Sequence, residues 1–391
     1  MEVEAPPCPA RRQLAGHPMP RPDNAPCPDH SATCNESGRL PRLLITCGDP
    51  AGIGPEITAT AWADPAVHAA ARLRVVATAE VMAKAMESLP SGRASVGPLA
   101  VEEVDAGDPR PSTPETLLVI PALLPSEPVP SGAITAAGGR FAAAAVLAAS
   151  KLVRKGDAEA LVTGPLNKAA LAAAGYDVPG HTELLARDCG LADDAVSMML
   201  WLPPGPGLSH SDGLGVVHVT LHTGLAAAVG AITQPRIVEA ARRLEGLLLR
   251  LLGRTPRLAV AALNPHGGEG GLFGDEEQRL IAPAVRVLAA EGVDVVGPLP
   301  ADTLFARAAA GGFDGVVAQY HDQGHIPIKL LGMHRAVNIT LGLPIIRTSV
   351  AHGTAFDIVG SGQADASSMR AAIHAATRLA TQGRGPKTIP R

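Results

Sequence analysis

The feature that most constrains the fold is an alternation of short β-branched runs with alanine-rich helical stretches. It begins near residue 42 and continues almost to the C-terminus. Such alternation is typical of α/β proteins, in which helices connect the strands of a mainly parallel sheet. The predicted strands include "RLRVVAT", "EALVTGPL", "GVVHVTLH", "RLAVAALNP", "GVVAQYH" and "AVNITLGLPIIRTSV"; the predicted helices include "GGRFAAAAVLAASKLVRKG" and "QPRIVEAARRLEGLLLRLLG".

Composition narrows the class of protein further. A chain of 391 residues is long for one lobe, so two are expected. Aromatic residues make up only 2%, so the core must consist of Leu, Val, Ile and Ala. A net charge of -4 and scarce aromatics argue against nucleic-acid binding. The most membrane-like segment, 213–233, contains two histidines and several glycines and is better interpreted as a strand and a short helix, so we expect no membrane span and a cytoplasmic protein.

Residues 1–41 are predicted to be a disordered, proline-rich extension. Three of the five cysteines lie in it, and "CPDHSATC" offers only half of the four ligands that a structural zinc site needs. Cys47 and Cys189 each stand alone in apolar surroundings, where a reduced thiol is expected.

Three predicted strands each end in a histidine: His222, His266 and His321. Ligands of open α/β sheets bind beyond the carboxyl ends of strands, and three imidazoles with open positions suit a catalytic divalent metal. Taken singly, each histidine would more often be a hydrogen-bonded structural residue. The nearby Asp322 and Glu269 are candidates either for orienting an imidazole or for solvated loop charges.

Cationic side chains form a second group. Lys168, Lys329 and Arg347 follow or interrupt apolar strands, and Asn338 and Thr340 lie in the adjacent "VNITLG". Arg and Lys with neutral donors suit phosphate or carboxylate, whereas the alternative is a set of surface charges. A glycine-punctuated loop over 352–369 leads into a helix that is predicted to start near Ser367.

Taken together, these blocks resemble the 4-hydroxythreonine-4-phosphate dehydrogenase family from about Leu43 to Thr381. The resemblance rests on "GDPAGIGPE", "TGPLNK", "PGHTELLA", "NPHGGEGGLFGDEE", "GPLPADT", "YHDQGHIPIKLLG" and "NITLGLPIIRTSVAHGTAFDI" in this order. It implies a two-lobed α/β/α fold of the isocitrate and isopropylmalate dehydrogenase type, with the active site in the interlobe cleft. Residues 42–165 and 315–391 would form the cofactor-side lobe, and 166–314 the second lobe, with the interface of a homodimer.

The resemblance also implies roles for individual residues. The ligands of a divalent metal (Zn, Mg, Mn or Co) would be His222, His266 and His321. Substrate would contact His181, Thr182, Lys329, Asn338 and Arg347, and the catalytic residues would be His181, Lys329 and Asp302. The cofactor NAD would lie on His352, Gly353, Thr354, Ala355, Asp357 and Ile358. Asp357 favours NAD because a carboxylate repels the 2′-phosphate of NADP. Ala351 departs from the family, which usually has Asp before "HGTA".

The implied reaction is oxidative decarboxylation of a small phosphorylated 3-hydroxy acid. One branch converts 4-phosphooxy-L-threonine to 3-amino-2-oxopropyl phosphate on the route to pyridoxal phosphate. The other converts 4-phospho-D-threonate or D-erythronate to dihydroxyacetone phosphate, and "PLNKAAL" and "GHIPIKLLG" are closer to this branch. The alternatives are oxidation of a cyclic diol carboxylate, or a non-catalytic anion-binding protein that keeps the fold.

Overall fold

The structure, a computed structural model, describes residues 39–87, 100–121 and 127–382. Most of the predicted extension, with "CPDHSATC", lies outside this range. The strands are β1 (Arg42–Thr46), β2 (Arg72–Val76), β3 (Ala100–Glu103), β4 (Thr116–Ile120), β5 (Ala160–Thr163), β6 (Ser197–Leu202), β7 (Leu214–His218), β8 (Leu258–Ala261), β9 (Val295–Leu299), β10 (Gly315–Ala318), β11 (Val337–Leu341) and β12 (Ile346–Val350).

Helices connect most of these strands. They are α1 (Gly54–Trp62), α2 (Pro65–Ala70), α3 (Ala79–Glu87), α4 (Ala136–Lys155), α5 (Lys168–Ala173), α6 (His181–Asp188), α7 (Leu225–Ala231), α8 (Gln234–Leu252), α9 (Ala282–Ala290), α10 (Ala301–Ala309), α11 (His321–Gly332) and α12 (Ser367–Gln382). Shorter 3-10 segments cover Asp193–Ala195 and Phe356–Ile358, a π-helical turn covers Glu277–Ile281, and a loop of left-handed turns covers Pro265–Gly271.

All twelve strands belong to one sheet, in the order β3-β4-β2-β1-β5-β12-β11-β6-β7-β10-β8-β9. Neighbours are parallel except around β11, which is antiparallel to β12 and β6, and between β6 and β7. The mainly parallel α/β sheet is thus confirmed. Because β10 lies between β7 and β8 and parallel to both, the carboxyl ends of these three strands lie side by side.

Local sequence explains where the two longest helices start and stop. Thr135 caps α4 by accepting from the Gly138 amide, and Gly156 ends the helix in the left-handed conformation. Thr233 and Gly253 do the same for α8. By length and composition α4 passes as a membrane span, but 56% of its most apolar window is buried inside the fold, and a core helix meets the same criterion.

The core is aliphatic, as the composition requires. Leu43, Ile45 and Leu161 are almost fully buried in the central strands β1 and β5, and α4 and α12 pack over these strands. Cys47 is a buried free thiol whose pKa is raised to about 12 by desolvation, and Cys189 is also unpaired. The core therefore depends on close aliphatic packing.

One predicted strand was wrong. "AVNITLGLPIIRTSV" is an antiparallel hairpin, β11 and β12, rather than a single strand. The chain reverses at Gly342, whose φ of 88° a side chain rarely adopts. The turn was hidden because it lies inside a nearly continuous apolar run. The division into a cofactor-side lobe and a second lobe stays a prediction; β10, assigned to the former, pairs with strands of the latter.

Candidate active site

Two of the three predicted metal ligands lie together in the segments that follow β7 and β10. The ring centroids of His222 and His321 are 5.8 Å apart. Both line a cavity of about 440 Å³ with Tyr320 and Asp322. Partial desolvation, Lys168 and His321 together lower the pKa of His222. Two imidazoles lining one cavity are suited to a divalent cation.

Asp322 orients one of these rings. Its carboxylate lies 2.6 Å from His321 Nδ1, a distance at which Nδ1 donates its hydrogen to the carboxylate oxygen. The lone pair of His321 is then on Nε2, the other side of the ring. A carboxylate on the outer nitrogen is how metal-binding histidines are commonly held. Of the two interpretations of Asp322, the contact favours the orienting role.

His266 stands apart from this pair. It is exposed at the start of a loop in which His266, Gly267, Gly268, Glu269 and Gly270 all have left-handed backbone angles. Within the described ranges, no hydrogen bond or ring contact joins His266 to His222 or His321. Nor do the ligand atoms of the three histidines come within 4.8 Å of one another there. The structure brings two of the predicted ligands together and leaves the third apart.

A different group, His210, Asp212 and Asp314, does have metal-like spacing. This group was not predicted from the sequence. Arg254 donates to Asp212 at 2.8 Å and to Asp314 at 2.6 Å, and His210 Nε2 lies 3.0 Å from Asp314. Since a guanidinium already neutralises both carboxylates, we interpret the group as a structural network.

Arg347 is a deeply buried cation. Its side chain on β12 is 1% exposed and donates to Thr163 Oγ1 at 2.6 and 3.1 Å and to Thr340 Oγ1 at 2.9 Å. Burial lowers the pKa of the guanidinium to about 9, so it stays charged at neutral pH. Within the described part of the chain, Arg347 forms no salt bridge. A buried cation held only by hydroxyl groups is a natural anion receptor.

His181 lies beside this cation. It begins α6, and desolvation, reinforced by the positive charge of Arg347, holds its pKa well below the usual range. His181 Nε2 and Asn338 Oδ1 are buried and have no hydrogen-bond partner among the described residues. Thr182 follows His181 on the first turn of α6. Unpaired buried polar atoms beside a cation indicate a place for a polar ligand.

The remaining predicted catalytic residues are exposed. Lys329 lies on α11, close enough to contribute to the lowered pKa of His325. Asp302 lies in the first turn of α10, and no hydrogen bond or salt bridge within the described residues connects it to the histidines. Lys168, which begins α5, lies near His222.

The predicted cofactor loop is anchored to the segment before and within α1. Ile53 N donates to Thr354 O at 2.9 Å, and Gly360 N donates to Glu56 Oε1 at 2.7 Å. Ala355 has a left-handed φ of 43°, and His352 Nε2 is buried without a partner in the described chain. Asp357 is exposed at the 3-10 turn. Gly52 allows the segment before α1 to lie this close to the loop, because a Cβ at position 52 would be 2.7 Å from the Thr354 carbonyl oxygen.

Sequence reasoning missed two histidines behind the site. His218, at the end of β7, and His325, on α11, are both more than nine-tenths buried. Desolvation and the neighbouring histidines lower the pKa of both, that of His325 to about 4. The His-x-x-x-His spacing at 218–222 and 321–325 was the available signal.

Comparison with known proteins agrees with these features. The family model described as "Pyridoxal phosphate biosynthetic protein PdxA" matches residues 69–376. A 4-hydroxythreonine-4-phosphate dehydrogenase of Geobacter metallireducens is 45% identical, over 87% of this chain and 96% of that protein. A D-threonate 4-phosphate dehydrogenase of Cupriavidus necator is 43% identical, over 88% and 99%. The crystal structure of a 4-hydroxythreonine-4-phosphate dehydrogenase from Klebsiella pneumoniae, 40% identical, matches with a TM-score of 0.74 over 87% of this chain and 99% of its own. The chain therefore belongs to the PdxA family, whose relatives compared above are dehydrogenases.

Proposed function

We propose that this protein catalyses the NAD-dependent and divalent-metal-dependent oxidative decarboxylation of a phosphorylated 3-hydroxy acid. The substrate is 4-phosphooxy-L-threonine or, on the other branch, 4-phospho-D-threonate or D-erythronate. The single observation that carries the proposal is the buried Arg347, whose described partners are hydroxyl groups and which lies beside His181, whose Nε2 has no partner among the described residues. This arrangement supports a receptor for an anionic substrate.

Substrate binding falls to the residues around that cation. Arg347 presents a charged planar fork that suits carboxylate or phosphate. Thr182, Asn338 and His181 supply neutral polar groups, and the exposed Lys329 supplies a mobile second charge. Binding the anionic ends away from the reacting carbon uses remote contacts to position that carbon.

The residues near the cavity fit a divalent ion. His222 and His321 would hold it, with Asp322 fixing the His321 ring and His266 completing the set of ligands. Such an ion supplies Lewis acidity for an alcohol oxygen and for the negative charge that develops as carbon dioxide leaves. A homodimer is part of the proposal, because His266 is exposed and so available to the site of a second copy.

Proton transfer is assigned to His181 or Lys329. His181 is the better placed at neutral pH because its lowered pKa keeps the imidazole uncharged, and its buried Nε2 has no partner within the described residues. Asp302 would act from the first turn of α10. A neutral imidazole next to a fixed cation can accept a hydroxyl proton during hydride loss.

The loop with His352, Gly353, Thr354, Ala355, Asp357 and Ile358 would bind NAD, which accepts the hydride. Its anchoring to α1, the unpaired His352 Nε2 and the exposed Asp357 carboxylate support this role. Phosphorylated metabolites and a nicotinamide cofactor are cytoplasmic compounds, so we place the reaction in the cytoplasm.

The test is NADH formation by the purified full chain with each phosphorylated acid, with and without a chelator. We expect turnover of at least one acid, lost with chelator and restored by a divalent metal. NADH formation from none of them would contradict the proposal. Turnover of a cyclic diol carboxylate alone would replace it with the alternative chemistry, and neither turnover nor NAD binding would indicate a non-catalytic protein.

A further inference from the structure

Three histidines form a continuous contact chain from the core to the proposed metal site. The His325 ring stacks on the His321 ring, with centroids 3.6 Å apart and planes within 10°. His325 Nδ1 in turn lies 3.0 Å from Nε2 of His218. His218 and His325 are only 3% and 7% exposed. The end of this row of histidines that lies in the core is therefore closed to bulk solvent.

The distances determine where the hydrogens lie. His325 Nδ1 also lies 3.1 Å from the backbone carbonyl oxygen of His321, which can only accept. Nδ1 of His325 must therefore carry a hydrogen, shared between that carbonyl and His218 Nε2. Since two N–H groups cannot point at each other, His218 Nε2 must be an acceptor, and its hydrogen is on Nδ1. In this contact His325 is therefore the donor and His218 the acceptor.

The sequence allows this contact only because residue 324 is glycine. A Cβ at Gly324 would lie 2.4 Å from His218 Nε2 and 2.8 Å from Val216 Cγ1. Glycine in the middle of a helix costs about 0.5–1 kcal/mol relative to alanine. The first turn of α11 thus carries a helix-weakening residue at the one point where β7 brings His218 against it.

We propose that His218 and His325 are positioning residues for metal coordination by His321. His218 accepts the Nδ1 hydrogen of His325 and so fixes the plane of that ring, and the fixed ring holds His321 by stacking on its face. Asp322 holds the edge of His321 through Nδ1. The two contacts together leave the His321 ring one orientation, with Nε2 towards the cavity. The positioning role rests on the proposed function, because it assumes a metal bound by His321. The positions of the hydrogens on His218 and His325 do not depend on that assumption.

The tautomers are tested first, on metal-free protein. Long-range nitrogen–proton NMR of the full chain, labelled with 15N-histidine, distinguishes protonated from unprotonated ring nitrogens. We expect a hydrogen on Nδ1 of both rings and a bare Nε2 in His218. A hydrogen on Nε2 of His218, or a bare Nδ1 in His325, would overturn the inference whatever the protein catalyses.

Metal binding tests the positioning role. His218→Leu removes the acceptor, and His218→Gln returns an amide oxygen near the position of Nε2. Loss of such outer partners typically weakens metal binding by about 10- to 100-fold. We expect His218→Leu to raise the Kd for Mn²⁺ or Co²⁺ by about tenfold or more, and to change the Co²⁺ absorption spectrum. His218→Gln should stay near the wild type. His334→Gln, which removes an exposed histidine just after α11, is the matched control.

The outcomes separate the two proposals. Unchanged metal binding in His218→Leu would overturn the positioning role and leave the proposed function standing. If His218→Leu and His218→Gln weakened metal binding equally and lost equal thermal stability, the effect would come from packing alone. That result would overturn the positioning role. A wild type that binds no divalent metal would overturn both. His325→Phe keeps an aromatic ring but loses the Nδ1 donor, so it should weaken metal binding as His218→Leu does, and the double variant should add little.

Discussion

Arg347 illustrates at the scale of one residue how a binding site can oppose stability. Its guanidinium is desolvated, and two threonine hydroxyl groups replace the water that it loses. A desolvated charge costs several kcal/mol, and each hydrogen bond to a charged group returns about 1.5–3 kcal/mol. Arg347 makes three such bonds but no salt bridge within the described residues, so it has no anionic partner in the fold.

Replacing Arg347 should therefore separate function from stability. We expect Arg347→Lys to raise KM for the phosphorylated acid by about tenfold or more, because an ammonium cannot present the same planar pair of donors. KM for NAD should change much less. Steady-state kinetics with each substrate varied in turn measures both, and a parallel rise of the two KM values would contradict the assignment.

The same position gives a stability prediction. Arg347→Met removes a guanidinium whose pKa burial lowers to about 9 in the folded protein. Between pH 9 and the ordinary arginine pKa, the wild-type side chain is therefore protonated in the unfolded chain but not in the folded one. The charged wild-type side chain is thus destabilising at pH 7. Urea unfolding should show Arg347→Met at least as stable as the wild type while binding of the phosphorylated acid is lost. A loss of more than about 2 kcal/mol would assign Arg347 a structural role.

At the scale of elements, Glu277 supports the unusual loop of His266. Its buried carboxylate accepts from the backbone amides of Leu263 and Asn264 at 2.8 and 2.7 Å and from Asn264 Nδ2 at 2.9 Å. Gly268 packs so closely that a Cβ would lie 2.8 Å from Glu277 Oε2. The left-handed conformation of His266 and Glu269 is unfavourable, and these bonds offset it.

Glu277→Gln should destabilise this loop, because the new NH₂ group faces the Asn264 side-chain donor. We expect the free energy of unfolding to fall by about 2 kcal/mol and metal binding to weaken. Glu276→Gln, which disturbs one contact to the same Asn264, is the control and should have a smaller effect. Equal stabilities of Glu277→Gln and the wild type by urea unfolding would contradict the role.

Asp314 joins the starts of β7, β8 and β10. Arg254 donates to it at 2.6 and 3.0 Å, the Arg257 amide at 2.7 Å, and His210 lies within 3.0 Å. Burial acts to raise the pKa of the Asp314 carboxyl, but the bonds from Arg254 and the Arg257 amide outweigh burial and lower it. Its stabilising contribution is therefore complete above the unfolded pKa of about 4.

Asp314→Asn should lower the free energy of unfolding at pH 7 by about 3 kcal/mol, because Arg254 and His210 lose a buried anionic partner. The deficit should shrink as the pH falls from about 4 through the folded pKa, where the wild-type carboxyl itself protonates. Thermal unfolding from pH 7 to 3 measures this, with the more exposed Asp212→Asn as the milder comparison. A deficit independent of pH would show that the charge is not responsible.

Features set by neighbouring residues in the sequence could be predicted, whereas features set by contacts between distant residues could not. It was predictable that His222, His266 and His321 follow three strands, because the order of a strand and the residues after it is local, and β7, β8 and β10 are indeed parallel neighbours. The exact strand ends were wrong, because these strands end at His218, Ala261 and Ala318, before the three histidines. The pairing of His218 with His325 was not predictable, because it depends on which strand lies against α11. The β11–β12 hairpin was also missed, since Gly342 and Pro344 interrupt the apolar run without a polar turn.

At the scale of the whole molecule, several exposed apolar side chains lie on segments that carry or follow the proposed metal ligands. Leu225 is 61% exposed on α7, which begins shortly after His222, and it lines the cavity. Leu272 is 75% exposed in the loop after His266, and Leu330 is 82% exposed on α11, which carries His321. Exposed apolar groups on these segments, together with a third ligand that stands apart, favour a second copy of the chain as their cover.

Charging this surface should therefore abolish assembly and activity together. We expect sedimentation to give the wild type twice the chain mass of 39.8 kDa. Leu330→Glu or Leu272→Glu should give monomers with weakened metal binding, because a carboxylate cannot be buried unpaired in an apolar interface. Leu249→Glu, at a 40% exposed position on α8, should remain dimeric and active. A monomeric wild type with full activity would require that one chain bring His266 to His222 and His321 by moving the left-handed loop.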